Sequence, residues 1–189
     1  MDYHLKNLKK RVSDLQPYNY ITHRPDYYTF VTTTGCEYHC YFFDFSSPFS
    51  DYPELAQLFF GFNLELKSVP ESLTVVPPDK RIAYTVTTIL KTFLTEKKNV
   101  VVYICDNSDK REKARFHKFT NWFKAYNDGS IIQIKGVVRA NHTDILNALL
   151  IHKDNTLLND FIEAYTLLTG FYSKPDDEEL NNILNDDGW

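Results

Sequence analysis

An unbroken apolar run, "VVVYIC" from Val100 to Cys105, is the feature that most constrains how this chain of 189 residues can fold. A strand with one wet face alternates between apolar and polar residues, whereas a continuous apolar run of this length needs cover on both faces. The run ends at Asp106, and an aromatic-rich helical pattern follows at about residues 109–126. The sequence therefore predicts a central strand that leads directly into a helix.

The flanking patterns indicate the rest of the fold. Residues 18–45 alternate with period two between turn signals, which predicts an antiparallel meander, and "FFGFNLELK" predicts a further strand with one wet side. Asp79 is placed to cap a helix with a buried apolar stripe, and two more strands and a third core helix, ending near Gly170, follow the 109–126 helix. This order predicts an α+β fold, with a single mixed, largely antiparallel sheet, an N-terminal meander and helices packed mainly on one face.

Three regions are predicted along the chain: an amphipathic basic helix (1–16), a single α+β domain (17–170) and an acidic C-terminal tail or helix (171–189). An apolar stripe with adjacent positive charge marks the first, and a cluster of apolar residues after Pro175 marks the last. The stripes could pack on their own domain or on another chain. We expect these two segments to form the interface, through Leu5, Leu8, Lys9, Val12 and Leu15 at one end and Leu180, Ile183 and Leu184 at the other.

Composition and motifs exclude several function classes. A formal net charge of -4 is too weak for nucleic-acid binding by bulk electrostatics, so nucleic acid is not the expected partner, although a local nucleic-acid surface is left open. Neither a signal peptide nor an apolar run of roughly 20 residues is present, so a cytoplasmic location is expected and a membrane partner is not. The six glycines form no phosphate-binding loop, and the common hydrolase motifs are absent.

The three cysteines are expected to be reduced thiols. Cys36 and Cys40 are roughly 13 Å apart on an extended strand, which is beyond the reach of a disulfide. His39 lies between them in "CEYHC", but strand alternation turns its side chain to the opposite face. Neither a metal site nor a cofactor is expected.

The strand–helix junction has a structural and a chemical interpretation. Asp109 with Glu112 fits a capping box, and Arg115 falls on an apolar flank of the helix, where a carboxylate such as Asp106 or Asp79 would balance its charge. Alternatively, Asp106 and Asp109 could hold a divalent metal while Arg111 or Arg115 binds a phosphate. The structural interpretation is favoured, because helix-start chemistry accounts for both acidic residues.

Four stretches, "YYTFVTTTGCEYHCYFF", "DKRIAYTVTTILKTFL", "VVVYICDNSDKREKARFHKFTNWF" and "ALLIHKDN", resemble an uncharacterised family of small bacterial proteins known only as a domain of unknown function. The likeness covers residues of about 18–168. It implies no established activity, cofactor or catalytic residue. An antitoxin-like or phage-defence role in partner binding is an analogy from such small bacterial proteins.

Two functional hypotheses follow from the sequence. The first is a non-enzymatic protein-interaction module that binds a protein partner or self-associates through its terminal helices. The second is a small metal-dependent hydrolase or nuclease with its site at the Asp106, Asp109 and Arg115 junction.

Overall fold

The structure, a computed structural model, describes residues 15–105, 110–140 and 143–169. Seven strands make up its sheet: β1 (Tyr20–Arg24), β2 (Tyr27–Val31), β3 (Glu37–Asp44), β4 (Phe59–Ser68), β5 (Val100–Ile104), β6 (Ile131–Ala140) and β7 (Thr143–His152). The α-helices of this part of the chain are α1 (Pro53–Ala56), α2 (Lys80–Phe93), α3 (Glu112–Tyr126) and α4 (Leu158–Thr169), and a short 3₁₀ helix spans Ser47–Phe49. No helix in these ranges has the length and apolar character needed to cross a membrane.

The seven strands form one sheet in the order β1-β2-β3-β4-β5-β7-β6. The β4–β5 pair is parallel, and the other five pairs are antiparallel. β5 lies between β4 and β7, and Val100 to Tyr103 are at most 3% exposed. The apolar run is therefore a central strand, as predicted, and the N-terminal meander is confirmed.

The two longest helices are the crossovers of the sheet. α2 connects β4 to the adjacent parallel strand β5, and α3 connects β5 to β6. Crossovers between parallel strands are right-handed, so two successive ones that progress in the same direction place both helices on the same face. α2 and α3 accordingly pack against each other, with Tyr84 of α2 stacked on Tyr126 of α3.

Two apolar cores lie on opposite faces of the sheet. The larger core is formed by the sheet and the α2–α3 layer, and the smaller core lies under α4 and the segment that contains α1. Val101 and Tyr103 face the larger core, whereas Val100 and Val102 face the smaller one. The predicted α+β class and mixed sheet are confirmed, and the second helical layer explains why β5 is apolar on both sides.

The start of α2 follows the prediction. The Asp79 carboxylate accepts a hydrogen bond from the backbone N–H of Arg81 at 2.8 Å and so caps the helix. The guanidinium of Arg81 donates from Nε to the carbonyl of Gln16 at 3.0 Å, and the N–H of Tyr18 donates to Oγ1 of Thr85 at 2.8 Å. These contacts fix the first described residues of the chain along α2.

The three cysteines are free and buried, which agrees with the predicted thiols. Burial raises the pKa of the Cys40 and Cys105 thiols to about 12. Because the thiolate is the reactive form, native protein at pH 8 is expected to react with a thiol reagent at least a hundredfold more slowly than protein in denaturant, where three thiols should react per chain. Counting modified thiols against time checks this, and a fast-reacting thiol in the native state would contradict the burial described here.

Candidate functional site

The junction after β5 is described only in part. The N–H of Cys105 extends the strand pairing by donating to the carbonyl of Leu146 at 2.9 Å. Asp106 and Asp109, the two predicted metal ligands, lie outside the described residues. Among the residues that are described, no group of three His, Cys, Asp or Glu side chains could hold a metal ion. The hydrolase hypothesis therefore stays a prediction.

The predicted start of the junction helix is wrong by three residues. α3 begins at Glu112 rather than near Asp109, and its N-cap residue is Arg111, which makes no side-chain capping hydrogen bond. Lys110, immediately before the cap, has a φ of 61°. This left-handed residue turns the chain just before the helix, so the acidic capping box of Asp109 and Glu112 does not apply.

The two arginines of the junction differ in their surroundings. Arg111 is exposed, whereas Arg115 is half-buried one turn into α3. Burial is the main cause of the raised pKa of the Cys105 thiol, and the positive charge of Arg115 acts against it. Arg115 therefore lies close to the end of β5, as the sequence indicated. Asp79 instead lines a cavity together with Lys118 and Trp122, which are about one and two turns further along α3, and its carboxylate caps α2.

The predicted terminal interfaces lie almost entirely outside the described residues. Of the eight side chains assigned to them, the structure describes Leu15, which is half-buried. The others are Leu5, Leu8, Lys9, Val12, Leu180, Ile183 and Leu184. Their role in binding stays a prediction.

A further surface emerges on the antiparallel half of the sheet. α4 and the α1 segment cover β5, β6, β7 and the start of β4 on the face opposite to the α2–α3 layer. On the same face, the smaller core includes no described residue of β1, β2 or β3, and the exposed side chains there include Ile21, Val31 and Phe43, whereas Thr29 is only 9% exposed. We call this surface the open face, and its principal side chains are those of Ile21, Tyr27, Thr29, Val31, Glu37, His39, Tyr41, Phe43, Asn63, Glu65 and Lys67.

Strand register orders the open face into rows. Ile21, Thr29, His39 and Glu65 are successive partners across β1 to β4. Ile21 is 63% exposed, Val31 is 54% exposed and Phe43 is 45% exposed. Phe43 lies directly across from Gly61, and its ring occupies the space that a side chain at Gly61 would fill. Large apolar side chains are thus exposed to solvent on the three neighbouring strands β1, β2 and β3.

Polar groups on the open face are already connected to one another. Oη of Tyr27 lies 2.8 Å from Nδ1 of His39, and Nε2 of His39 lies 2.9 Å from a carboxylate oxygen of Glu37. Oγ of Ser68 donates to the other oxygen of Glu37 at 3.3 Å. The hydrogen bond with His39 is the main reason that the pKa of the exposed Glu37 carboxyl is lowered. This series of hydrogen bonds resembles a catalytic relay in its order, but the depression beside it, which Tyr27 and Tyr41 line, is wide and open to solvent and would not exclude water.

The sequence contains a partial signal for this surface. The wet side of β4, with Gly61, Asn63, Glu65 and Lys67, was predicted from alternation and is confirmed by its position on the open face. The exposure of Ile21, Val31 and Phe43 was missed, because an apolar residue in a strand is by default assigned to a core. Side chains alternate between the two faces of a strand, and Val31 and Phe43 directly follow the buried residues Phe30 and Phe42. This alternation was the signal that could have placed them on the opposite face.

The fold and the surfaces together define an α+β protein. One face of its sheet packs against the α2–α3 layer, and the other face is covered by helices only in part. Comparison with known proteins adds the family. Residues 78–167 match the model of a family of unknown function (DUF6169), so the predicted resemblance to a family of unknown function is confirmed over this stretch. The match runs from the start of α2 into α4 and leaves β1 to β4 outside it. No curated protein and no solved structure matches the chain.

Proposed function

We propose that this protein is an interaction module that self-associates, with two copies packing through their open faces. The observation that carries the proposal is the exposure of Ile21, Val31 and Phe43 on one uncovered sheet surface. Ile21 and Val31 are diagonal neighbours near one end of the open face, and Phe43 lies near the other end, six residues along β3 from Glu37, the partner of Val31. A sheet surface with exposed apolar side chains at both ends is a candidate for association. Burying them against a second protein removes apolar area from water.

Charge distribution favours a second copy as the partner. Arg24 and Asp26 pair at 3.2 Å, and Lys67 and Glu65 pair at 3.5 Å. Glu37 is the remaining carboxylate, and His39 and Ser68 are hydrogen-bonded to it, so the open face and its rim carry little surplus charge to select a strongly charged partner. A twofold axis through such a face brings identical, self-complementary surfaces together.

The dimensions of the open face set the expected strength of this association. Four strands about 4.8 Å apart and up to eight residues long give a contact of about 15 Å by 25 Å. A stable dimer typically buries about 800 Å² of accessible surface on each partner, and the projected area of the open face, about 375 Å², is below that value. We therefore expect a reversible dimer with a dissociation constant in the micromolar range.

Sedimentation velocity across a concentration series tests the proposal. Val31→Lys is expected to weaken dimerisation at least tenfold, because it puts an ammonium group on each of the two apolar surfaces that pack together. Val75→Lys is the matched control: it is the same substitution at a valine that is 67% exposed and outside the open face, so the dimer should be unaffected. Thermal unfolding of both variants confirms that the fold is intact.

A wild-type chain that stays monomeric at several hundred micromolar would overturn the proposal, as would an equal effect of both lysine substitutions. The predicted contribution of the termini is a separate arm of the same measurement. A chain without residues 1–14 keeps Gln16, Pro17 and Tyr18, which anchor to α2. If this truncation abolishes the dimer and Val31→Lys does not, the interface lies at the N-terminal segment instead.

A further inference from the structure

An apolar groove lies between the α1 segment and α4, on the face of the sheet that carries the smaller core. It has a volume of about 530 Å³ and is open to solvent. Tyr52, Pro53 and Leu55 line one wall, and Leu157, which is 37% exposed, lines the other. Apolar side chains from two separate segments thus face the same groove.

Carboxylates line both walls of this groove. Asp51 and Glu54 are on the α1 wall, and Asp160 and Glu163 are on the α4 wall. All four side chains are exposed, and within the described part of the chain none of them forms an ion pair with a basic side chain. A matching partner would therefore present an apolar surface with positive charges on both of its flanks.

The first fourteen residues of the chain, which lie outside the described part, have this pattern in their sequence. Their acidic residues are Asp2 and Asp14, and their basic residues are Lys6, Lys9, Lys10 and Arg11. The amphipathic helix predicted there has an apolar stripe formed by Leu5, Leu8 and Val12. With about 100° between successive residues, Lys9 flanks this stripe on one side and Arg11 flanks it on the other.

As a helix, this segment is too short to reach the groove of its own copy. Gln16 is held by Arg81 at the start of α2. α2 ends near the start of β4 and close to the α1 segment in the sequence, because the rings of Phe93 and Phe60 are 5.1 Å apart between their centroids. A helix of fourteen residues is about 21 Å long, which is only the length of α2, and it would also have to pass to the other face of the sheet.

We infer that residues 1–14 of one copy bind in the groove between the α1 segment and α4 of a second copy. The apolar stripe lies against Tyr52 and Leu157, and Lys9 and Arg11 lie against the carboxylates of the two walls. Around a twofold axis, each copy gives one segment and receives one. This contact uses none of the residues of the open face, so it is a second point of self-association and does not depend on the first.

Fluorescence anisotropy tests the inference, with a labelled peptide of residues 1–16 at nanomolar concentration and the full-length chain as titrant. Saturable binding with a dissociation constant in the micromolar range is expected. Raising the salt from about 50 mM to about 500 mM should weaken it at least threefold, because salt screens exposed charges. A scrambled peptide of the same composition should bind at least tenfold more weakly, because it lacks the apolar stripe.

Reversing one carboxylate on each wall tests the position of the peptide. The double substitution Glu54→Lys with Asp160→Lys is expected to weaken binding of the peptide at least tenfold, because like charges then face each other. Its matched control is Glu71→Lys with Glu96→Lys, which makes the same change in net charge at two exposed carboxylates outside the groove. The control should change the dissociation constant less than twofold, and circular dichroism checks that both variants are folded.

A charge swap completes the test. A peptide with Lys9→Glu and Arg11→Glu should bind the groove variant more tightly than it binds the wild-type chain. Three outcomes would overturn the inference: no saturable binding at several hundred micromolar chain, equal binding of the scrambled peptide, and equal effects of the two lysine pairs.

Val31→Lys separates this inference from the open-face dimer. Val31 pairs with Glu37, which pairs with Ser68 at the end of β4, whereas the groove lies near the start of that strand. This variant should therefore bind the peptide like wild type even where it weakens the dimer. Weaker binding of the peptide by Val31→Lys would place the peptide on the open face and overturn the inference.

Discussion

Replacing Phe161 with alanine is expected to lower the free energy of unfolding by about 3–5 kcal/mol. Phe161 is completely buried in the smaller core, where its ring meets that of Phe59 edge-on at 5.2 Å between centroids. Phe59 is in turn stacked on Phe49 at 3.5 Å. Removing the Phe161 ring leaves a cavity between α4 and the sheet and takes away the contact with Phe59, through which α4 is linked to Phe49 of the 3₁₀ segment.

Denaturant unfolding followed by circular dichroism measures this loss. Leu167→Ala is the control on the same helix, because Leu167 is 70% exposed and truncating it should change stability by less than about 0.5 kcal/mol. A loss below about 1 kcal/mol for Phe161→Ala would mean that α4 does not stabilise the sheet. Since small domains are stable by about 5–15 kcal/mol, the expected loss is a large share of the total.

Gly136→Ala is expected to destabilise the protein by about 2–4 kcal/mol, although it adds only one methyl group. A Cβ at this position would lie 2.5 Å from Oγ1 of Thr169, 2.6 Å from Oη of Tyr165 and 2.9 Å from Oδ1 of Asn147. These groups are buried, and Oη of Tyr165 donates a hydrogen bond to Oδ1 of Asn147. The methyl group would have to push α4 away from β6 or break that hydrogen bond.

Gly61→Ala provides the matched comparison, because a Cβ there would lie only 2.2 Å from Cζ of Phe43. The Phe43 ring is 45% exposed and can swing into solvent, so the expected loss is below about 1 kcal/mol. Denaturant unfolding of the two glycine variants gives both values. Equal losses would show that the Tyr165–Asn147 contact is as adaptable as an exposed ring.

Much of the fold could be predicted because its signals are local. The apolar run of β5, the Asp79 cap and the alternation of β4 each depend on neighbouring residues, and each was confirmed. The start of α3 was not, since a left-handed Lys110 before the helix has no signature in the residue types. The second helical layer was implied by the apolar character of β5 on both faces, yet the position of α4 depends on tertiary contacts such as Phe161 with Phe59.

The candidate sites were harder to predict, because they depend on what is left uncovered. Exposure of Ile21 and Val31 follows from α4 reaching β5, β6 and β7 but not β1 to β3, and no local pattern specifies that reach. The cavity beside Asp79 is likewise lined by Lys118 of α3 and by Pro77, which are far apart in the sequence. Hydrophobic periodicity is a local pattern, so it does not predict that these two residues are neighbours. The sequence instead predicted functional residues at Asp106 and in the termini, where charged residues are frequent.

Insertion of β7 between β5 and β6 has a consequence for synthesis of the protein on the ribosome. β5 pairs with β7 over Val100 to Ile104, so one edge of the most apolar strand has no partner until residue 152 has been translated. At about 5–20 residues per second, the interval between translation of Ile104 and translation of residue 152 lasts about 2–10 s. During this interval, β5 has a valine-rich edge with unpaired backbone N–H and C=O groups, and such edges promote aggregation. We therefore expect the nascent chain to depend most on chaperones in this interval.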